Sequence, residues 1–319
     1  MIFGISGYGA TGSSAIMDLL KEYKALQIVD DIEFKYSYMV DGLQDLEFHL
    51  VKQFSRVASG DFAIKRFIEA TNSIKIPFLH KVLDKKTFLK IRDEFVLSLI
   101  QCSWWGMESR DYEDGRVIRN MYMLGMKKKI LPFFYENRTR RNWKHRPCRK
   151  LFCSVMPENF YEKCHNFIND ILLARGLNLK EDIFINQAFE GNDPINSFPF
   201  FDNPRAIVID RDPRDVYLLT KIYGNMGESR WCPRDNVEDF IVYFRAAHQK
   251  THEDTSSILR MNFEDFIYDY ENAVKKIENF CNISNDDHIY KKKYFNPNVS
   301  INNTQLFLRN NDFSEDIKK

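Results

Sequence analysis

The stretch Gly4–Leu20, GISGYGATGSSAIMDLL, decides how the chain reads. It continues a short apolar strand, MIFGIS, and then crowds glycines at positions 7, 9 and 12. Ser13 or Ser14 stands where a helix would be capped, and Ala15, Ile16, Leu19, Leu20 and Tyr23 fall on one helical face. Strand, glycine loop and helix in this order begin an α/β unit. Such a loop suits an anion. Glycine lets the backbone come close, the free amides of the first helical turn point outward, and the helix dipole favours negative charge. Ser13 and Ser14 add hydroxyl donors. The spacing Gly7-x4-Gly12 followed by Ser13-Ser14 is that of a Walker A loop in which Ser13 replaces the lysine. The lost lysine argues against nucleoside triphosphate hydrolysis. A glycine turn without ligand is the plain alternative.

Working outward, LQIVDDIEFKY is a second candidate strand. From about Phe62 to Gly176 the pattern is mostly helical and irregular, closing with an amphipathic helix in NFYEKCHNFINDILLARG. Inside it, Lys127–Lys150 holds ten Lys or Arg and one acid, Glu136. The second informative stretch is PRAIVIDRDPRDVYLLTKIYG. Ala206–Asp210 is a continuously apolar strand of the kind found in parallel sheets covered on both faces. Asp212 can cap the next helix, Pro213 fits its first turn, Asp215 takes the acid-favouring third position, and Gly224 can end it. Arg211 then falls at the carboxyl edge of the sheet, where open α/β sheets bind ligands. A guanidinium there suits a phosphate monoester. Arg214, one turn on, fits a surface ladder with the neighbouring aspartates equally well. ILRMNFEDFIYDYENAVKKIENFCNI reads as strand, turn and helix.

The chain has 319 residues, 44% of them hydrophobic, with 27 Phe, which is ample for a packed core. No internal repeat or linker divides it. The expectation is a single domain over 1–319: a three-layer α/β parallel sheet with a P-loop-type nucleotide-binding core and a helical central insertion at about 60–176. A net charge of +1 argues against nucleic acid as partner. No charged leader or long apolar run is evident, so no integral membrane segment is expected and a cytoplasmic setting is. Six cysteines then read as reduced thiols. Cys148, Cys153, Cys164 and His165 lie close enough to suggest zinc, but no CxxC pair is present and no metal is expected.

The two loops together resemble the sulfotransferases that use 3'-phosphoadenosine 5'-phosphosulfate (PAPS). That family's first loop holds the 5'-phosphosulfate and reads lysine or arginine, then Ser-Gly-Thr-Thr. Here the stretch is Ala10-Thr11-Gly12-Ser13-Ser14. The family's second motif binds the 3'-phosphate and begins Arg-Asp-Pro-Arg-Asp-Val, which Arg211–Val216 reproduces letter for letter. LRMNFEDF is similar to the family's RYEDL turn, EFKYSYMVDGLQDLE to an early segment of bacterial members, and FNPNVSINNTQLF to a bacterial-type ending matched at Ser300 and Asn303. The matches run from residue 4 to 307, with none from about 55 to 180. The resemblance implies transfer of a sulfuryl group from PAPS to an acceptor hydroxyl, with PAP as the nucleotide product. It places Gly9, Ala10, Thr11, Gly12, Ser13 and Ser14 on the 5'-phosphosulfate, and Arg211, Thr220, Ser300 and Asn303 on the 3'-phosphate.

Three departures stand out. The loop lysine falls at Ala10. The hydroxyl residue eight places after the motif's arginine falls at Leu219, with Thr220 adjacent. The two C-terminal lysines fall at Ile301 and Asn302. Glu33 and Lys35 are two apart, so an extended chain points both to one side. Glu33 resembles the glutamate base of glycan and tyrosine sulfotransferases, and Lys35 could replace the absent lysine. A solvated Glu–Lys pair is the other reading. His49, His80 and Asp41 are further candidate bases, each with a structural reading beside it. The basic stretch, with Phe134, Tyr135 and Trp143, fits an anionic or sugar acceptor, so a glycan or other hydroxyl compound is the expected partner. The alternatives are a non-catalytic relative that binds PAP or glycan, and a P-loop kinase with an altered loop.

Overall fold

The computed structural model describes residues 1–53, 57–72, 83–106, 149–223, 232–249, 255–310 and 314–318. Its centre is a five-stranded sheet of β1 (Ile2–Gly7), β2 (Gln27–Val29), β5 (Ile183–Asn186), β6 (Pro204–Asp210) and β7 (Ile258–Asn262). The strand order is β2-β5-β1-β6-β7, and every pairing is parallel. The α/β parallel-sheet expectation therefore holds.

The three layers follow from the strands' two-residue period. Ile2, Ile183, Ile185, Ala206 and Val208 face one apolar cluster, while Phe3, Ile5, Phe184, Ile207 and Ile209 face another. The first face is covered by α3 (Val57–Ala70), α4 (Lys85–Leu99) and α5 (Phe160–Ala174), through Phe67, Phe95, Phe167 and their neighbours. The second is covered by α1 (Ser13–Leu20), α8 (Phe263–Tyr268) and α9 (Tyr270–Cys281), through Ile16, Leu20, Phe266, Val274 and Ile277. Each fully buried side chain of this size contributes about 1.5–3 kcal/mol. Two faces covered this way explain why the strands read as unbroken apolar runs.

Three local expectations need correction. Helix α1 is capped by Gly12 rather than by a serine hydroxyl. Gly12 has φ +106°, and a Cβ there would stand 2.5 Å from the Phe263 ring, so both backbone and packing demand glycine. The strand in LQIVDDIEFKY stops at Val29; residues 33–35 follow as irregular chain, with Lys35 N donating to Glu33 O at 3.0 Å and Phe34 N to Asn186 O at 2.9 Å. The central region also contains strands: β3 (Cys102–Gly106) and β4 (Arg149–Cys153) form an antiparallel ribbon. The sequence reading missed β5 as well. Ile183–Ile185 is a short apolar run of the same kind as Ala206–Ile209, and length alone hid it.

The end of the chain is tied back by a buried carboxylate. Glu22, fully buried after α1, accepts from the main-chain N–H groups of Lys292, Tyr294 and Phe295 at 2.8–2.9 Å and lies 2.8 Å from His288 Nε2. That anchor fixes where α10 (Pro297–Ser300) begins. No helix among the described residues is long and apolar enough to cross a membrane.

Candidate functional site

Parallel strands bring all their exits to one edge. The loop after β1, the turn after β6 and the turn after β7 therefore meet there. The first is the glycine loop. Gly9, Ala10 and Gly12 have positive φ (89°, 54° and 106°), and turned backbone of this kind lines anion-binding concavities. Thr11 is buried, and its Oγ1 accepts from Tyr8 N at 3.1 Å, so its hydroxyl braces the loop from inside. Gly9, Ala10 and Ser14 are exposed and Ser13 is half-buried. Ser13 Oγ accepts from Gln187 Nε2 at 3.1 Å. Gln187, left-handed just after β5, is a loop neighbour that the sequence reading missed.

Arg211 follows β6 and is 6% exposed. Its Nη1 donates to the main-chain oxygen of Ala10 at 3.2 Å and its Nη2 to that of Asn303, while its guanidinium lies 4.7 Å over the Phe263 ring. Its buried Nε has no hydrogen-bond partner among the described residues. One side chain thus touches the glycine loop, the turn after β7 and the C-terminal segment. Burial pushes its pKa down, against the pull of Asp215, Glu264 and Asp212. An arginine stays charged regardless, so this marks a poorly solvated cation.

Arg214 differs. It is exposed, paired with Asp212 through Nε (2.9 Å) and Nη2 (2.6 Å), and stacked 3.8 Å over Phe307. Asp212 Oδ1 also accepts from Arg214 N at 2.9 Å, capping α6 (Pro213–Tyr223). Burial opposes, but Arg214 holds the Asp212 carboxyl below its usual range. Asp215 is fully buried and accepts from Gln305 N and Leu306 N at 2.7 and 2.8 Å. It fastens the C-terminal segment beside Asn303, a role that its reading as a first-turn acid did not anticipate.

The other expected nucleotide contacts divide. Asn303 reaches Arg211 through its main chain. Ser300 ends α10 in the preceding turn and is half-buried. Thr220 is buried in α6, donates to Tyr217 O at 2.7 Å, and shares a hydrogen bond with Cys232, so it faces the helix's own packing. A cavity of about 330 Å³ beside Arg211 is lined by Arg211 itself and by Asp210, Asp212, Glu264 and Asp265. Four carboxylates around one guanidinium make this cavity unfavourable to a phosphate.

A second cluster borders the loop. His248 stacks on Tyr8 (3.8 Å between centroids) and on Phe244 (4.0 Å). Its Nδ1 is 2.7 Å from Phe244 O and its Nε2 is 3.1 Å from Asp210 Oδ2. Burial opposes protonation, but these acceptors raise the imidazole's pKa overall. Arg260 Nη1 donates to Tyr8 Oη and to Gly191 O, both at 3.1 Å. His248 carries no local sequence signal, and Arg260 lies in the LRMNFEDF stretch without having been singled out; the fold brings both to the loop.

Glu33 and Lys35 also lie at the carboxyl edge, beyond β5. Two strand spacings of about 4.8 Å separate their segment from β1. Both are substantially exposed and they pair with each other at 2.5 Å. Two alternative bases meet on one arginine: Arg66 Nε donates to Asp41 Oδ1 at 2.7 Å, and its Nη2 is 3.1 Å from His49 Nε2. Asp41 has φ +62°, as its turn reading expects. His80, Phe134, Tyr135, Trp143 and the Lys127–Cys148 part of the basic stretch lie outside the described residues. Cys148 does too, and no metal-binding group of three or more His, Cys, Asp or Glu is found among the described residues.

No protein-family model matches this chain, and no curated protein sequence matches it significantly. Among solved structures it is similar to the crystal structure of retinol dehydratase in complex with androsterone and the inactive cofactor PAP. That likeness has 12% identity and a TM-score of 0.33, covers 95% of this chain, and spans only 66% of the other chain. At that score it carries no argument about the site.

Proposed function

We propose that this chain is a sulfotransferase that moves a sulfuryl group from PAPS to an acceptor hydroxyl, with a glycan as the acceptor class. The observation that carries the reading is Arg211. Its buried guanidinium joins the two motif-bearing turns, and its Nε has no partner among the described residues. A buried cation with a donor still unpaired beside a glycine loop suits a dianion. In this reading the main-chain amides of residues 9–14 hold the 5'-phosphosulfate. Arg211, with Thr220 and with Ser300 or Asn303, holds the 3'-phosphate. PAPS, when bound, supplies the sulfuryl group and leaves as PAP. Glu33 takes the acceptor's proton and Lys35 steadies negative charge as it develops. The basic stretch Lys127–Lys150 forms the acceptor side, and a cytoplasmic setting accompanies the whole.

The test is thermal. PAP should raise the melting temperature, because a ligand of the native state stabilises it, and ATP with magnesium should raise it much less. Equal shifts from both, or none from PAP, would overturn the cofactor assignment. A second reading, a non-catalytic PAP-binding relative, draws on one observation: Glu33 and Lys35 pair with each other, which occupies the groups that turnover needs. PAP binding without turnover on any acceptor would favour it.

A further inference from the structure

The β3–β4 ribbon places two cysteines directly opposite each other: Cys102 opens β3, Cys153 closes β4, and they are register partners. Facing residues in an antiparallel pair have Cα atoms about 4.5–5.5 Å apart, inside the roughly 4.4–6.8 Å that a disulfide spans. Their side chains share one face of the ribbon. The backbone is held on both sides of the pair. Gln101 N donates to Cys153 O at 2.9 Å, and the Gln101 side chain exchanges two hydrogen bonds with the main chain of Val155 at 2.9 and 3.0 Å. Phe152 N donates to Asp61 Oδ1 at 2.8 Å, fastening β4 to α3. Cys102 is exposed and Cys153 half-buried, whereas Cys164, Cys232 and Cys281 are buried. All five are free thiols.

We propose that Cys102 and Cys153 are a thiol–disulfide exchange site that closes into a reversible cross-strand bond on meeting a low-molecular-weight disulfide. Cys102 is the exposed sulfur, so it meets the small disulfide and attacks first; burial, and then the neighbouring Cys102 thiol, raise the Cys153 pKa. The Cys102 thiolate displaces one thiolate from the small disulfide and forms a mixed disulfide. The Cys153 thiolate then attacks Cys102 Sγ and displaces the second. Two protein thiols are oxidised, one small disulfide is reduced to two thiols, and the two protons pass to the departing thiolates. The bond would tie the strands from which the chain leaves and returns around the basic stretch Lys127–Lys150. The inference stands on the ribbon alone and is independent of the sulfotransferase reading.

The experiment uses the full chain, equilibrated across ratios of reduced to oxidised glutathione, alkylated and digested with trypsin. Cleavage after Arg149 and Lys150 puts Cys148 and Cys153 on separate peptides. The expected result is a peptide bearing Cys102 joined to one bearing Cys153, lighter by two hydrogens, reversed by dithiothreitol and absent in Cys102→Ser and Cys153→Ser. A bond from either residue to Cys148 in preference, or glutathione adducts without an internal bond at the most oxidising ratio, would overturn it. The decisive reading is made on the unmodified sequence, so it does not depend on how well either variant folds.

Discussion

Arg211 Nη1 donates to the carbonyl oxygen of Ala10 at 3.2 Å. The residue that stands where the resembling family keeps a lysine is thus touched, through its backbone, by the arginine of the second motif. A positive charge is present beside the loop although the loop carries none itself.

Arg211→Ala should weaken PAP binding by about 2 kcal/mol, roughly thirtyfold, because a charge-assisted contact to a dianion is lost. Arg214→Ala should cost much less, since that guanidinium is exposed and already paired with Asp212. Calorimetric titration of both variants decides it. The reverse ranking would assign the phosphate to Arg214.

The C-terminal anchor predicts a stability effect remote from the loop. Glu22→Ala leaves three buried or half-buried N–H donors and His288 without their acceptor. Breaking such a buried cluster costs about 3 kcal/mol or more. At about 2 °C per kcal/mol for a large chain, the melting temperature should fall by roughly 6 °C. PAP affinity should fall as well, because Asn303 and Ser300 belong to the segment this carboxylate holds. An unchanged melting temperature would mean that the segment is held elsewhere.

The strand–loop–helix start was legible because glycines and an apolar period mark it locally, and Arg211 because it follows an unbroken apolar strand. What escaped depends on distant partners. Nothing near Gln187 announces Ser13, and nothing near Glu22 announces residues 292–295. Asp215 shows the limit well: its position reads as a helix-start acid, yet it serves residues 305 and 306. The β3–β4 ribbon was hidden for another reason. Its strands are five residues each and lie far apart in the chain, so neither carries a hairpin signal.

His248 should make stability depend on pH. Burial and, less strongly, Arg260 oppose protonation, but the two ring nitrogens face Asp210 Oδ2 and Phe244 O, which together favour the imidazolium, and Tyr8 stacks on the ring. The native pKa is raised above the unfolded value of about 6.5. The contribution is therefore complete below about pH 6.5 and is lost as pH rises through the native pKa. The melting-temperature gap between the wild type and His248→Gln should be widest near pH 6 and narrow toward pH 9. A gap that stays constant, or widens with pH, would show that the ring is neutral in the fold.

The last prediction concerns chemistry. Glu33→Gln keeps the side chain's shape but removes its ability to take a proton. If Glu33 is the base, the variant should bind PAP normally and lose about a hundredfold or more in turnover. Lys35→Ala should also slow turnover, because charge developing on the leaving oxygen loses a partner. The present pairing of Glu33 with Lys35 sets a condition on both roles: the acceptor must separate them, or must bind with the pair intact. Exposed pairs of this kind are worth about 1 kcal/mol or less, so acceptor binding can part them at small cost. The assay therefore begins with a panel of glycans and simple phenols and a radiolabelled sulfate donor. Full activity in Glu33→Gln would pass the role of base to His49, His80 or Asp41. Full activity in Lys35→Ala would leave the loop amides, its hydroxyls and Arg211 to compensate for Ala10.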